Sequence, residues 1–249
     1  MNAFFAGIKD AYEELKGDSS IPRLEDDPYD NEENQKVDVW GTVNEKLLIF
    51  VHGGYWAAGT RKDCLPPAKC VLAHGFAFAS VGYGLSTEGR TIDETAEDVV
   101  RGVKFLLNKY LSARTVIVGG HSAGAHLAVQ AVVRLRDERI RGLLLYSGCY
   151  FLKELVTSEI GTDISLTPEQ ATRNSCDLSL MNGLSLKTLV VLGLQEAPKL
   201  IEQNREFVKQ RKEAIIAEFP SGSHYTIITN MMSASSGESL TVARFLNDF

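Results

Sequence analysis

Twelve residues, Thr115 to His126, constrain this chain more than any other stretch. Val116, Ile117 and Val118 form a β-branched run, Gly120-His121-Ser122-Ala123-Gly124 fits G-x-S-x-G, and an Ala-rich segment follows. The pattern predicts a strand, a sharp turn and the first turns of a helix, the setting in which G-x-S-x-G lifts a nucleophilic serine clear of a sheet edge. Glycines on either side of Ser122 let chain segments pass close, because they carry no Cβ. A helix starting after Ser122 aims backbone N–H groups at a place where negative charge could develop. Without that context the motif reads only as a tight connection.

The flanking sequence alternates strands with helices. Val37 to Trp40 reads as a short alternating strand, and Leu47 to Val51 as a strand buried on both faces. Phe76–Val81, Gly142–Tyr146, Thr188–Leu192 and Ala214–Phe219 read as further strands. Helices are expected over 3–16, 63–74, 91–110, 123–136, 198–212 and 236–249, the third opened by a Thr91-x-x-Glu94 capping box. Residues 17–35 are acidic and turn-rich and read as an exposed, solvated connection. Residues 151–187 hold short helical patches, with a helix start at Thr167-Pro168, and form a candidate substrate-covering excursion. This order implies an α/β fold with a mostly parallel central sheet and helices on both faces. Residues 1–249 are expected to form one domain, since such a sheet with its crossovers uses this much chain.

Composition narrows the function. With 44% hydrophobic residues and a net charge of −6, the chain has apolar material for a large core and no basic run suited to nucleic acid. Its start lacks the basic leader and long apolar core of a secretory signal, and no stretch approaches a membrane span. Cys64, Cys70, Cys149 and Cys176 are scattered without zinc spacing, which suits reduced thiols in the cytoplasm. The expected partner is a small-molecule substrate, with no nucleic acid and no membrane. Oligomeric state stays open, a homodimer being one form.

Ligands in such sheets bind beyond the carboxyl ends of the strands. A serine hydroxyl there needs a base. Of five histidines, His121 adjoins the serine and should point away from its hydroxyl; His126 suits helix packing, His74 a helix end, and His52 bracing of the following glycines. His224, in a Gly/Ser loop after the last strand, fits the order Ser…acid…His. Glu196 is the one carboxylate in the loop after Thr188–Leu192, and becomes the candidate acid. Asp163 and Asp177 are rivals for that role, and Glu196 could instead only favour the helix opening at Pro198. The N–H groups of Gly53, Gly54 and Ala123 are candidate oxyanion donors. Tyr55 and Trp56 follow the double glycine and should wall the substrate pocket, or else serve as core aromatics.

With these residues in view, the chain resembles the hormone-sensitive-lipase-like branch of the α/β-hydrolases, through HGGYW and GHSAG. More narrowly, it resembles the kynurenine formamidases (arylformamidases), through those motifs together with YSGCYFLKELVTSEIGTDISLTPEQATRNS, QEAPKLIEQNREF and SGSHYTII, spread over residues 37–230. The resemblance implies hydrolysis of N-formylkynurenine to kynurenine and formate in tryptophan breakdown, by a serine hydrolase with no metal or other cofactor. Ser122 matches the family nucleophile and His224 its base. Glu196 stands where the family usually carries aspartate before a Ser-Pro pair. A general small-acyl carboxylesterase would share every motif, and a hydrolase-fold binding protein with little turnover is the rival of another class.

Overall fold

The computed structural model describes residues 2–87 and 89–249. Its elements run α1 (Asn2–Gly17), β1 (Arg23–Pro28), β2 (Lys36–Trp40), β3 (Lys46–Val51), α2 (Ala68–Ala73), β4 (Ala77–Val81), α3 (Ile92–Lys109), β5 (Thr115–His121) and α4 (Ala123–Leu135). They continue with β6 (Ile140–Tyr146), α5 (Glu159–Asp163), α6 (Pro168–Asn174), β7 (Lys187–Gly193), α7 (Pro198–Gln210), β8 (Ala214–Phe219), α8 (Thr226–Thr229) and α9 (Gly237–Leu246). Among the described residues, the strands form one eight-stranded sheet in the order β1-β2-β4-β3-β5-β6-β7-β8. The six strands from β4 to β8 are parallel, and β1 and β2 join antiparallel at one edge.

Period-two alternation sorts each buried strand between two cores. In β3, Leu47, Ile49 and Val51 join the core shared with α3 and α4, while Leu48 and Phe50 join the core under α1, α2 and α9. The expected capping box is present: Thr91 accepts from the Glu94 N–H and Glu94 accepts from the Thr91 N–H. Thr167 builds a second one with Gln170 at the start of α6, with Pro168 at the first helical position.

Two expectations need correction. The acidic segment 17–35 is not only a solvated connection, because β1 lies within it and pairs with β2. Its acids meet cations from the folded body: Glu25 with Lys62 at 2.5 Å, Asp27 with Lys109 at 2.6 Å, Asp30 with Arg101 at 3.1 Å and Glu32 with Arg90 at 2.7 Å. Those partners are remote in sequence, so the run alone could not reveal them. The helix expected over 63–74 is also broken. A 3-10 turn covers Arg61–Cys64, and α2 begins only after Pro66 and Pro67, whose missing N–H groups interrupt the ladder.

Candidate active site

The turn between β5 and α4 is as tight as its sequence demands. Ser122 has φ +56° and ψ −120°, a conformation sparsely populated by non-glycine residues. The surrounding packing imposes it. A Cβ on Gly120 would stand 2.3 Å from the Gly124 carbonyl oxygen, and one on Gly124 only 2.1 Å from that of Val51. Both glycines are therefore required by close approach rather than by turn propensity. The Ser122 N–H donates to the Tyr146 carbonyl at 2.8 Å, tying the turn to β6.

After β3 the chain enters a second strained loop. Gly54 has φ +110°, and Tyr55 and Trp56 follow in the left-handed region. The Gly54 carbonyl accepts from both Ala57 and Ala58, which closes the loop. His52 braces it as expected: its Nδ1–H donates to the Gly53 carbonyl at 2.8 Å, and its ring stacks on Tyr83 at 4.0 Å. This loop lies directly against the serine, since a Cβ on Gly53 would come within 3.1 Å of the Ser122 Cβ. Among the described residues, the N–H groups of Gly53, Gly54 and Ala123 donate to no protein acceptor.

Glu196 and His224 are brought together from the ends of β7 and β8. His224 Nδ1 lies 2.9 Å from Glu196 Oε2. The other carboxylate oxygen accepts from the Ser147 hydroxyl and from the Gly193 N–H at 3.3 Å. The extra methylene of glutamate is thus taken up by a cradle between β6 and β7. Asp177 instead caps a 3-10 turn through Ser179, and Asp163 sits exposed at the end of α5, so neither rival reaches His224.

A cavity of about 200 Å³ opens above the strand ends, with Ser122, His224, His121, His52, Gly53, Gly54 and Tyr55 in its lining. His121 does more than point away from the hydroxyl. Its Nε2 donates to the His224 carbonyl at 2.8 Å, and the two rings stand 4.6 Å apart. Burial, with His224 beside it, pushes His121 down to about 3, so the ring stays neutral and keeps the tautomer that holds His224.

Trp56 is a correction. It is fully buried and lies outside the cavity lining, donating its indole N–H to His126 Nδ1 at 3.2 Å. His126 Nε2 in turn donates to the Asn174 carbonyl at 2.6 Å. Trp56 thus serves the core and leaves the pocket wall to Tyr55, which is 45% exposed. Among the described residues, the excursion 151–187 adds no lining side chain. The N-terminal helix covers the cavity instead: Phe4 and Phe5 line it, and the Phe4 ring lies 4.9 Å from that of Tyr225. Ser147, Phe4 and Tyr225 were missed because no motif marks them. Ser147 alone left a trace, as a serine-glycine pair at a strand end, where it takes φ +44°.

Comparison with known proteins agrees with this architecture. The sequence family described as BD-FAE matches residues 39–149. A kynurenine formamidase of Danio rerio is 26% identical, covering 93% of this chain and 84% of its own. One of Salmo salar is also 26% identical, over 82% of this chain and 76% of its own. In structure, esterase B from Lactobacillus rhamnosis superposes with a TM-score of 0.74 at 14% identity, covering 100% of this chain and 96% of that one, a likeness of fold. The chain thus has the α/β-hydrolase fold and is similar over most of its length to kynurenine formamidases.

Proposed function

We propose that this chain hydrolyses the formamide of N-formyl-L-kynurenine, giving L-kynurenine and formate, with Ser122 as nucleophile, His224 as base and Glu196 as acid. The observation that carries the chemistry is the Glu196–His224 hydrogen bond opening on the same cavity as Ser122. The substrate comes from the kynurenine formamidases that share the chain's length.

The steps follow from the atoms. Glu196 accepts from Nδ1–H, leaving Nε2 of His224 free to take a proton. Ser122 Oγ attacks the formyl carbon as its proton passes to Nε2. The carbonyl oxygen becomes an oxyanion, met by the unpaired N–H groups of Gly53, Gly54 and Ala123, each contributing about 3 kcal/mol to the transition state. Nε2–H then protonates the departing aryl amine. Water, activated by the same nitrogen, releases formate from the formyl-serine. A formyl group needs almost no acyl pocket, which suits a glycine loop packed against Ser122. Tyr55, Phe4 and Tyr225 offer rings to the aromatic leaving group.

Cytoplasmic location belongs to the same proposal, supported by the four cysteines, which are all free thiols. Among the described residues no helix is long and apolar enough to cross a membrane. The test compares N-formylkynurenine with p-nitrophenyl acetate, using wild type and Ser122→Ala. Preference for the formamide, lost with Ser122, supports the proposal. Activity on the ester alone makes the chain a carboxylesterase, and silence on both makes it a binding protein.

A further inference from the structure

Among the described residues, Asp63 is the single carboxylate in the lining of the active-site cavity, and no lysine or arginine lines it. The residue sits in the 3-10 turn that follows the glycine loop, where its Oδ2 accepts the Thr60 N–H at 2.8 Å. Among the described residues its other oxygen, Oδ1, has no hydrogen-bond partner and the carboxylate has no ion pair. The two cations beside it in sequence are paired with other acids. Arg61 pairs with Asp26 and Asp38, and Lys62 pairs with Glu25 and Asp38. Burial pushes the Asp63 carboxyl up, the expected response of an acid facing a cavity without a counter-charge. Structural need explains only one of its two oxygens.

We propose that Asp63 is a specificity residue that receives a positively charged amine of the substrate, selecting aryl formamides with an ammonium group over neutral ones. The inference rests on the formamidase reading, because that substrate carries its ammonium on the side chain next to the formylated ring nitrogen. Ser122, the rings of Tyr55, Phe4 and Tyr225, and Asp63 line one cavity, so a substrate with its formyl group at Ser122 and its ring among those aromatics shares that cavity with the Asp63 carboxylate. A cation there gains a charge-assisted hydrogen bond to Oδ1 and relieves the burial of the carboxylate.

The test is Asp63→Asn, which keeps an oxygen for the Thr60 N–H and so keeps the turn capped. An unchanged thermal midpoint confirms that the fold is retained. For N-formylkynurenine, KM should rise at least about tenfold with kcat little changed. For the analogue lacking the α-amine, and for p-nitrophenyl acetate, KM should not move. An equal change on all three substrates, or none on any, overturns the proposal. Failure of the formamidase reading is seen separately, as wild type that does not turn over N-formylkynurenine. In that case inhibition of ester hydrolysis by kynurenine and by its desamino analogue still decides. Stronger inhibition by the amine, lost in Asp63→Asn, upholds the ammonium site, and equal inhibition by both removes it.

Discussion

Glu196 Oε2 lies 2.9 Å from His224 Nδ1, and none of the Glu196 side chain reaches solvent. An amide at this position can still accept a hydrogen bond but cannot balance an imidazolium. Glu196→Gln should therefore lower kcat/KM by about 10³ to 10⁴ with the fold intact. Glu196→Asp should cost less, because the shorter acid forfeits either the His224 or the Ser147 contact. Steady-state kinetics on both variants would check this. A loss below tenfold for the glutamine variant would move the acid elsewhere.

Two neighbouring aromatics should separate cleanly. Trp56→Phe removes the donor to His126 Nδ1 and should destabilise the fold by about 1–3 kcal/mol, leaving KM unchanged. Tyr55→Ala should leave the urea midpoint near wild type and raise KM for an aromatic formamide. Paired unfolding curves and kinetics give the answer, and the reverse pattern would restore Trp56 to the pocket.

The glycines make a graded set. Gly124→Ala places a Cβ 2.1 Å from backbone of β3 and should prevent folding or cost more than about 4 kcal/mol. Gly53→Ala meets the His121 carbonyl at 2.8 Å and the Ser122 Cβ at 3.1 Å, so it should fold but lose turnover. Soluble yield, circular dichroism and fluorophosphonate labelling of Ser122 distinguish the two.

Burial holds His126 down to about 4 in the folded chain, against an ordinary value near 6.5. Between those values only the unfolded chain takes the proton, so this contribution is whole above pH 6.5 and is lost as pH falls toward 4. It amounts to about 3 kcal/mol over the full span. His52 and His121 act with the same sign. Asp38, raised by burial from 3.8 to about 6, and Asp63, also raised by burial, act in the opposite sense as pH rises. The urea midpoint should drop from pH 7 to pH 5, and His126→Gln should flatten that drop. A slope unchanged in the variant would mean that His126 is charged in the fold.

Phe4 reaches the cavity from α1, far in sequence from every motif residue. Phe4→Ala should lower kcat/KM about fivefold for an aromatic formamide and scarcely alter p-nitrophenyl acetate hydrolysis. Equal losses on both substrates would show that α1 serves folding alone.

Most of the strand and helix pattern could be read in the sequence, because β-branched runs and capping boxes are local signals. The strands after which Ser122, Glu196 and His224 fall were equally local. Contacts between remote segments were not. Only the sheet order brings Ser147 to Glu196, and only α1 folding over the strand ends brings Phe4 to Tyr225. Trp56 was misjudged because a double glycine before two aromatics does not tell which ring turns inward. The loop sends one to each side, and its two left-handed residues are what accomplish this.

Among the described residues, β8 is the last strand of the sheet, paired only with β7, and His224 follows its end. Ser122 instead follows β5, enclosed between β3 and β6. Edges of a fold open at lower cost than its centre. On warming, the proton carrier should therefore come adrift while the nucleophile is still gripped, so turnover fades before the molecule melts and returns on cooling.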